Sequence, residues 1–183
     1  SKYETFGILR DLEKISFFDN RYHKNFIHID NILDFEKFEK ILIKLKPKLI
    51  INCLGITNKF LKNNFKSVEE SIKINALFPR RLHEICSKID VRLIHLSTDC
   101  VFSGRKGSYK EDDIPDPLDI YGRSKLLGEL NYSNSLTIRK SVIGHEFLSS
   151  NGLLEWFLNK KETVEGYKNA IFSGLTVLEL AKI

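Results

Sequence analysis

Tyr121 and Lys125 stand four residues apart in the run Tyr-Gly-Arg-Ser-Lys. On a helix this spacing puts both side chains on one face, one turn apart. An ammonium beside a phenol favours the phenolate and draws its pKa down from about 10 toward the working range. Tyr121 then reads as a general acid/base, and the remaining donors of Lys125 can hold ribose hydroxyls. Alone, the pair describes the surface of any amphipathic helix. Upstream, at the carboxyl end of an apolar run, come Ser97, Thr98 and Asp99. A hydroxyl placed there can bind a carbonyl oxygen beside the phenol, although the three residues by themselves suit an ordinary Asx-type turn. A strand, Ser-Thr-Asp, a Gly/Pro loop and then Tyr-x-x-x-Lys opening a helix form a far more specific arrangement.

Such residues need a rigid frame, and the chain alternates between β-like and helical runs. Residues 5–9 and 26–29 read as short strands. Asp34 opens a helix to Leu45 with Phe35, Phe38, Ile41, Leu42 and Leu45 on one face, and Pro47 follows its end. Residues 49–53 form a continuous apolar run of the kind buried on both faces of a parallel sheet. Ser67 and Glu70 have capping-box spacing and start a helix through Ile72, Ala76 and Leu82 toward Cys86. Further strands are expected at 92–96, 136–139 and 170–172. Further helices are expected at 121–130 and from Val177, and a Gly/Asp/Pro-rich loop covers 103–117. This alternation predicts an α/β fold, a Rossmann-like doubly wound parallel sheet, with function in the loops beyond the carboxyl ends of the strands.

The chain has 183 residues, 42% of them apolar and 29% charged. That excludes a disordered, collagen-like or disulfide-scaffold protein, and no run approaches the ~18 apolar residues of a membrane span. The net charge of +5 is spread over scattered lysines, which reads as a solvated surface and not as a nucleic-acid groove. Cys53, Cys86 and Cys100 show no CxxC spacing and are expected to be reduced thiols of a cytoplasmic protein. No two of the five histidines have i, i+4 spacing on one helix, so no metal is expected. The sequence contains no Met, so Ser1 is not read as a translation start, and both ends read as cuts through structure.

The segments HLSTDCVFSGRKGSYKEDDIPDPLDIYGRSKLLGEL, LIINCLGITN, INALFPRRLHEIC and FSGLTVLELAK together resemble the extended short-chain dehydrogenase/reductases. Within them the chain looks most like the dTDP-4-dehydrorhamnose reductase group, from about Phe6 onward. The resemblance implies reduction of the C4 ketone of a nucleotide-linked deoxysugar with NADP(H) or NAD(H), in polysaccharide biosynthesis. It implies that Thr98 is the catalytic hydroxyl, Tyr121 the catalytic acid and Lys125 its partner, with Asp99 also facing substrate. Leu54, Gly55, Ile56 and Thr57 match the loop along the cofactor, and Asp30 and Asn31 the pair beside the adenine. Arg10, just past the second strand of such a sheet, suits the 2′-phosphate of NADP(H). Asn75 matches a helix Asn that supports the active-site backbone, and a buried Asn capping a kink is the equal alternative. A salt bridge is the expected role of Arg139, and core packing that of Trp156. Tyr109 and Glu111, in the long loop, reach substrate or only pack the loop.

The chain departs from this group in three respects. The first strand, the GxxGxxG loop and the first helix are missing, and most of the sugar-binding part is absent. This predicts residues 1–145 as a partial, N-terminally truncated dinucleotide-binding domain and 146–183 as the start of a small C-terminal substrate-binding part. The chain alone is then an inactive fragment that binds cofactor poorly or not at all. Cys100 also replaces a usual Tyr. Two other readings remain open: epimerase or dehydratase chemistry on the same fold, or a catalytically silent regulatory subunit such as that of methionine adenosyltransferase. Expected partners are a nucleotide sugar and, compatibly, a second copy in a homodimer, with neither nucleic acid nor membrane.

Overall fold

The computed structural model describes residues 3–57, 64–146 and 152–183. The chain divides into two compact units, Ser1–Pro47 and Lys48–Ile183. This division follows backbone contacts. The functional boundary after residue 145 is a separate matter and stays a proposal.

In the first unit, β1 (Gly7–Leu9) pairs in parallel with β2 (Phe26–His28), Gly7 opposite Phe26 and Leu9 opposite His28. Two 3-10 turns, Leu12–Phe17 and Asn20–Asn25, connect them. Helix α1 (Phe35–Leu45) follows. Its apolar positions recur at 3.6-residue spacing, and Phe38 and Leu42 are buried. Asp34 caps it by accepting from the Lys37 N–H at 3.1 Å. Lys46 ends it in the left-handed conformation, φ 50°.

The second unit contains a parallel sheet in the order β3 (Leu49–Asn52), β4 (Arg92–Leu96), β5 (Ser135–Ile138). Parallel neighbours require crossovers. From β3 to β4 the chain runs through α2 (Phe65–Ser71), a π-helical turn (Ile72–Leu77) and α3 (Phe78–Lys88). From β4 to β5 it runs through α4 (Ile120–Leu127). Ile50, Leu93 and Ser135 share one register line, and Asn52, His95 and Thr137 the next. Leu93, His95 and Asn52 are buried, as are Leu82, Ile85 and Cys86 of α3. The C-terminal stretch adds β6 (Val142–Ile143) paired with β7 (Leu175–Thr176), and short helices α5 (Leu153–Leu158) and α6 (Val177–Leu180).

The α/β class with parallel strands is as expected, and β4 matches its expected limits. Several local expectations are corrected. Strand β3 is not buried on both faces: Ile51 is 56% exposed, and Leu136, aligned with it through Ile94, is 43% exposed. Helix α2 starts before Ser67 because Asn64 takes the cap, accepting from the Ser67 N–H at 3.0 Å. Helix α4 stops at Leu127, ahead of the expected Leu130. Residues 170–172 carry no strand, and pairing begins at Leu175. Helix α5 buries none of its residues, so Trp156 is not a core residue; the Lys160 ammonium lies 5.4 Å from its ring.

Candidate active site

Thr98 sits where β4 ends and a one-turn 3-10 segment (Asp99–Val101) begins. Its buried hydroxyl accepts from the Cys100 N–H and donates to Asp99 Oδ1, both at 3.2 Å. The β4–β5 ladder continues through this turn. The Ser97 N–H donates to the Ile138 carbonyl at 2.8 Å and the Asp99 N–H to the Lys140 carbonyl at 3.3 Å. Thr98 is therefore gripped on both sides by the exit of β5.

Helix α4 is seated directly on this turn. Asp119 caps it, accepting from the Gly122 N–H at 2.7 Å. Gly122 has no side chain to spare, because a Cβ there would overlap the Cys100 carbonyl oxygen. This close approach brings Tyr121 beside Thr98. Burial pushes the Tyr121 phenol above its usual pKa, and the neighbouring Thr98 hydroxyl works in the opposite direction.

Lys125 is 3% exposed and its Nζ donates to the Leu96 carbonyl at 2.6 Å. Burial, with a smaller push from the neighbouring Lys140, lowers its pKa to about 8, while Glu129 opposes. The expected lowering of Tyr121 by Lys125 is not found. The ammonium is committed to the β4 backbone, and desolvation dominates the phenol.

The expected cofactor loop leaves the carboxyl end of β3. Leu54, Gly55 and Thr57 are exposed and Ile56 is half-buried. Asn75, fully buried in the π-helical turn, holds this loop from both sides. Its Oδ1 accepts from the Ile56 N–H and its Nδ2 donates to the Ile56 carbonyl, each at 2.8 Å. The same Nδ2 reaches Ser124 Oγ at 3.0 Å, and Ser71 Oγ donates to Ser124 Oγ at 2.9 Å. Ser124 in turn donates to the Tyr121 carbonyl at 2.9 Å. Asn75 thus supports the loop and also sits at a helix irregularity, so both expectations describe it. At a Cβ position built on Gly55, Lys125 Nζ would lie 3.7 Å away, which places loop and ammonium side by side.

Sequence reasoning missed several members of this site. Asn52 Oδ1 accepts from the Leu54 N–H at 3.1 Å while its Nδ2 lies 3.0 Å from His95 Nδ1. His95 is fully buried, and desolvation holds its pKa at about 3, so it stays neutral. Among the described residues its Nε2 is a buried side-chain atom without a hydrogen-bond partner. A histidine inside the apolar run of β4 is the only trace of this in the sequence. Ser71 and Ser124 leave none, since Ser is tolerated in helices.

The remaining expected residues are distributed as follows. Arg139 makes the expected salt bridge, its Nη2 at 2.8 Å from Glu129 Oε2. Arg10, Asp30 and Asn31 belong to the first unit. Arg10 is exposed and its carbonyl lies 3.0 Å from His28 Nε2. Asp30 pairs with Lys37 Nζ at 2.8 Å, and Asn31 Oδ1 accepts from the Leu33 N–H at 3.0 Å. Tyr109 packs within its loop, stacked on Phe102 at 4.3 Å.

A family model described as the RmlD substrate binding domain matches residues 16–163. A protein of Haloferax volcanii, named "Probable low-salt glycan biosynthesis reductase Agl14", is 36% identical over 104 residues, 56% of this chain and 34% of that protein. The methionine adenosyltransferase 2 subunit beta of Bos taurus is 31% identical over 99 residues, 54% of this chain and 29% of that protein. Among solved structures, one titled a hypothetical dTDP-4-dehydrorhamnose reductase from Sulfolobus tokodaii superimposes with a TM-score of 0.61 at 38% identity. That match covers 67% of this chain and 45% of that one, so the chain spans less than half the length of these relatives.

Proposed function

Because the chain belongs to the RmlD substrate binding domain family, we propose that the protein it represents is a nicotinamide-dependent reductase of a nucleotide-linked 4-keto-deoxysugar. In this reading it works in the cytoplasm on deoxysugar and polysaccharide biosynthesis. The observation that carries the reading is the seating of α4 on the Thr98 turn, which sets the Tyr121 phenol beside the Thr98 hydroxyl with Lys125 one helical turn away. In the reaction Thr98 donates a hydrogen bond to the ketone oxygen and Tyr121 delivers the proton that completes the alcohol. Lys125 adds positive charge near the oxygen that becomes an alkoxide.

The strip 54–57 fits a nicotinamide ribose. It is a backbone surface open to solvent, fixed from beneath by Asn75 and flanked by the Lys125 ammonium. Leu54, Gly55, Ile56, Thr57, Tyr121 and Lys125 are the residues of the second unit proposed to hold the cofactor, and Arg10, Asp30 and Asn31 those of the first. A nicotinamide dinucleotide bound there supplies the hydride. Arg10 favours NADP(H) over NAD(H) in this proposal, because a guanidinium pairs with a 2′-phosphate.

The test is the full-length protein with NADPH and a dTDP-4-keto-6-deoxysugar, followed by loss of NADPH absorbance. Tyr121→Phe is expected to lower kcat by roughly 10²–10⁴-fold and leave cofactor affinity nearly intact, because Lys125 and the 54–57 strip still hold the ribose. A second reading, a regulatory subunit without catalysis, is supported by the likeness to the Bos taurus subunit beta. It predicts no turnover in the wild type and a change in the activity of a partner enzyme on mixing.

A further inference from the structure

A chain of contacts unused by the mechanism runs behind the catalytic turn. Ser97, 1% exposed, donates to Glu129 Oε1 at 2.7 Å. Glu129 accepts from Arg139 Nε at 3.0 Å and from Nη2 at 2.8 Å. The third nitrogen, Nη1, donates at 3.2 Å to the carbonyl of Glu111, deep in the 103–117 loop. The guanidinium carbon also lies 5.0 Å from the centre of the Phe102 ring, and Phe102 stacks on Tyr109 of the same loop.

One arginine therefore touches Glu129, two residues past the end of α4, and the loop that joins the two catalytic stretches, and it reaches the residue before Thr98 through Glu129. Its own backbone is part of the same grip. The carbonyls of Ile138 and Lys140, on either side of Arg139, hold the N–H groups of Ser97 and Asp99, on either side of Thr98. The loop is also closed at its base. The Asp116 N–H donates to the Val101 carbonyl at 3.0 Å, and Asp116 Oδ1 accepts from the Ser103 N–H at 2.8 Å. What the base leaves open is how the body of the loop is oriented toward the Thr98 turn, and among the described contacts Arg139 and the Phe102–Tyr109 stack on which it lies supply that.

We propose that Arg139 and Glu129 are positioning residues that hold the 103–117 loop in register with the Thr98 turn, and that the loop orients the sugar-nucleotide substrate. The part concerning substrate rests on the reductase reading above; the part concerning the loop does not. A guanidinium serves here where an ammonium would not. Its planar fork makes the two-point contact with Glu129 and leaves Nη1 for the Glu111 carbonyl, while its flat face lies on Phe102.

The test uses Arg139→Lys, which keeps the charge and loses the fork, with Glu129→Gln as a nearly isosteric second variant. Amide exchange across 102–116 is measured on the chain as it stands, beside thermal unfolding. Exchange about tenfold faster in this segment, with little change in the melting temperature, is expected from loss of a charge-assisted hydrogen bond. In the full-length enzyme the KM for the sugar nucleotide is expected to rise about tenfold, while the KM for NADPH moves less than twofold. Unchanged exchange in both variants overturns the proposal. Faster exchange with an unchanged sugar-nucleotide KM overturns the substrate part alone. Absence of any turnover in the wild type overturns the reductase reading, and the exchange result then decides the loop part by itself.

Discussion

Lys125 has the clearest pH signature among the residues of the site. Its ammonium is buried with a single backbone acceptor and another lysine nearby, so its folded pKa is about 8 against 10.5 for the free side chain. Between those values the unfolded chain binds more protons than the folded one, and stability rises with pH. Below about pH 8 both states are protonated and the full burial penalty applies. A Lys125→Met variant is therefore expected to gain on the wild type at pH 7 and to lose that advantage as pH rises toward 10.5. Urea midpoints of both proteins at pH 7 and pH 10 measure this. A difference that stays constant across the two pH values would mean that Lys125 is not desolvated as described. That Tyr121, Lys125 and Thr98 meet at one turn was legible in the sequence from residue type and spacing. The direction of the Tyr121 shift was not, because it depends on how deeply α4 is pressed into the turn, which spacing does not encode.

The long helix-containing crossover from β3 to β4 shows where local signals compete. Ser67 and Glu70 have the right spacing for a capping box, yet Asn64 lies three residues earlier and its carboxamide oxygen accepts from both the Ser67 N–H and the Ser67 hydroxyl. Asn64→Ala is expected to destabilise the chain by about 1 kcal/mol, and Ser67→Ala by no more than a few tenths, in urea titrations. Equal losses would return the cap to Ser67. The π-helical turn that follows inserts an extra residue per turn around Asn75 and swings that carboxamide onto the Ile56 backbone. Asn75→Leu removes both partners of the half-buried Ile56 backbone groups. The Ile56 amide is expected to exchange at least tenfold faster in that variant, by the amide-exchange measurement already described, while β4 amides keep their protection. Strands β1 to β5 were legible from apolar runs, whereas β6 and β7, two residues each, were not. The π-helical turn was not, since the sequence around it keeps an ordinary helical pattern and the irregularity follows from close packing. Gly128 shows that packing, as a Cβ there would overlap the Asn75 carbonyl oxygen.

At the scale of the whole molecule, the residues proposed to contact a dinucleotide are split between the two units. Arg10, Asp30 and Asn31 lie in Ser1–Pro47, and Leu54–Thr57, Tyr121 and Lys125 in Lys48–Ile183. The proposal assigns the adenosine end to the first group and the nicotinamide ribose to the second. The pyrophosphate between those ends carries most of the charge. In folds of this kind it is held by backbone N–H groups of a Gly-rich loop at a helix N-terminus. The sequence contains no GxxGxxG run, and its ten glycines include no pair placed to substitute for one after β1, where residues 10–13 are Arg, Asp, Leu and Glu. Calorimetry of the chain as it stands is therefore expected to show no saturable binding at millimolar NADPH. If the isolated chain saturates at micromolar NADPH, other residues hold the phosphates and the assignment of Arg10, Asp30 and Asn31 to the adenosine end fails with it.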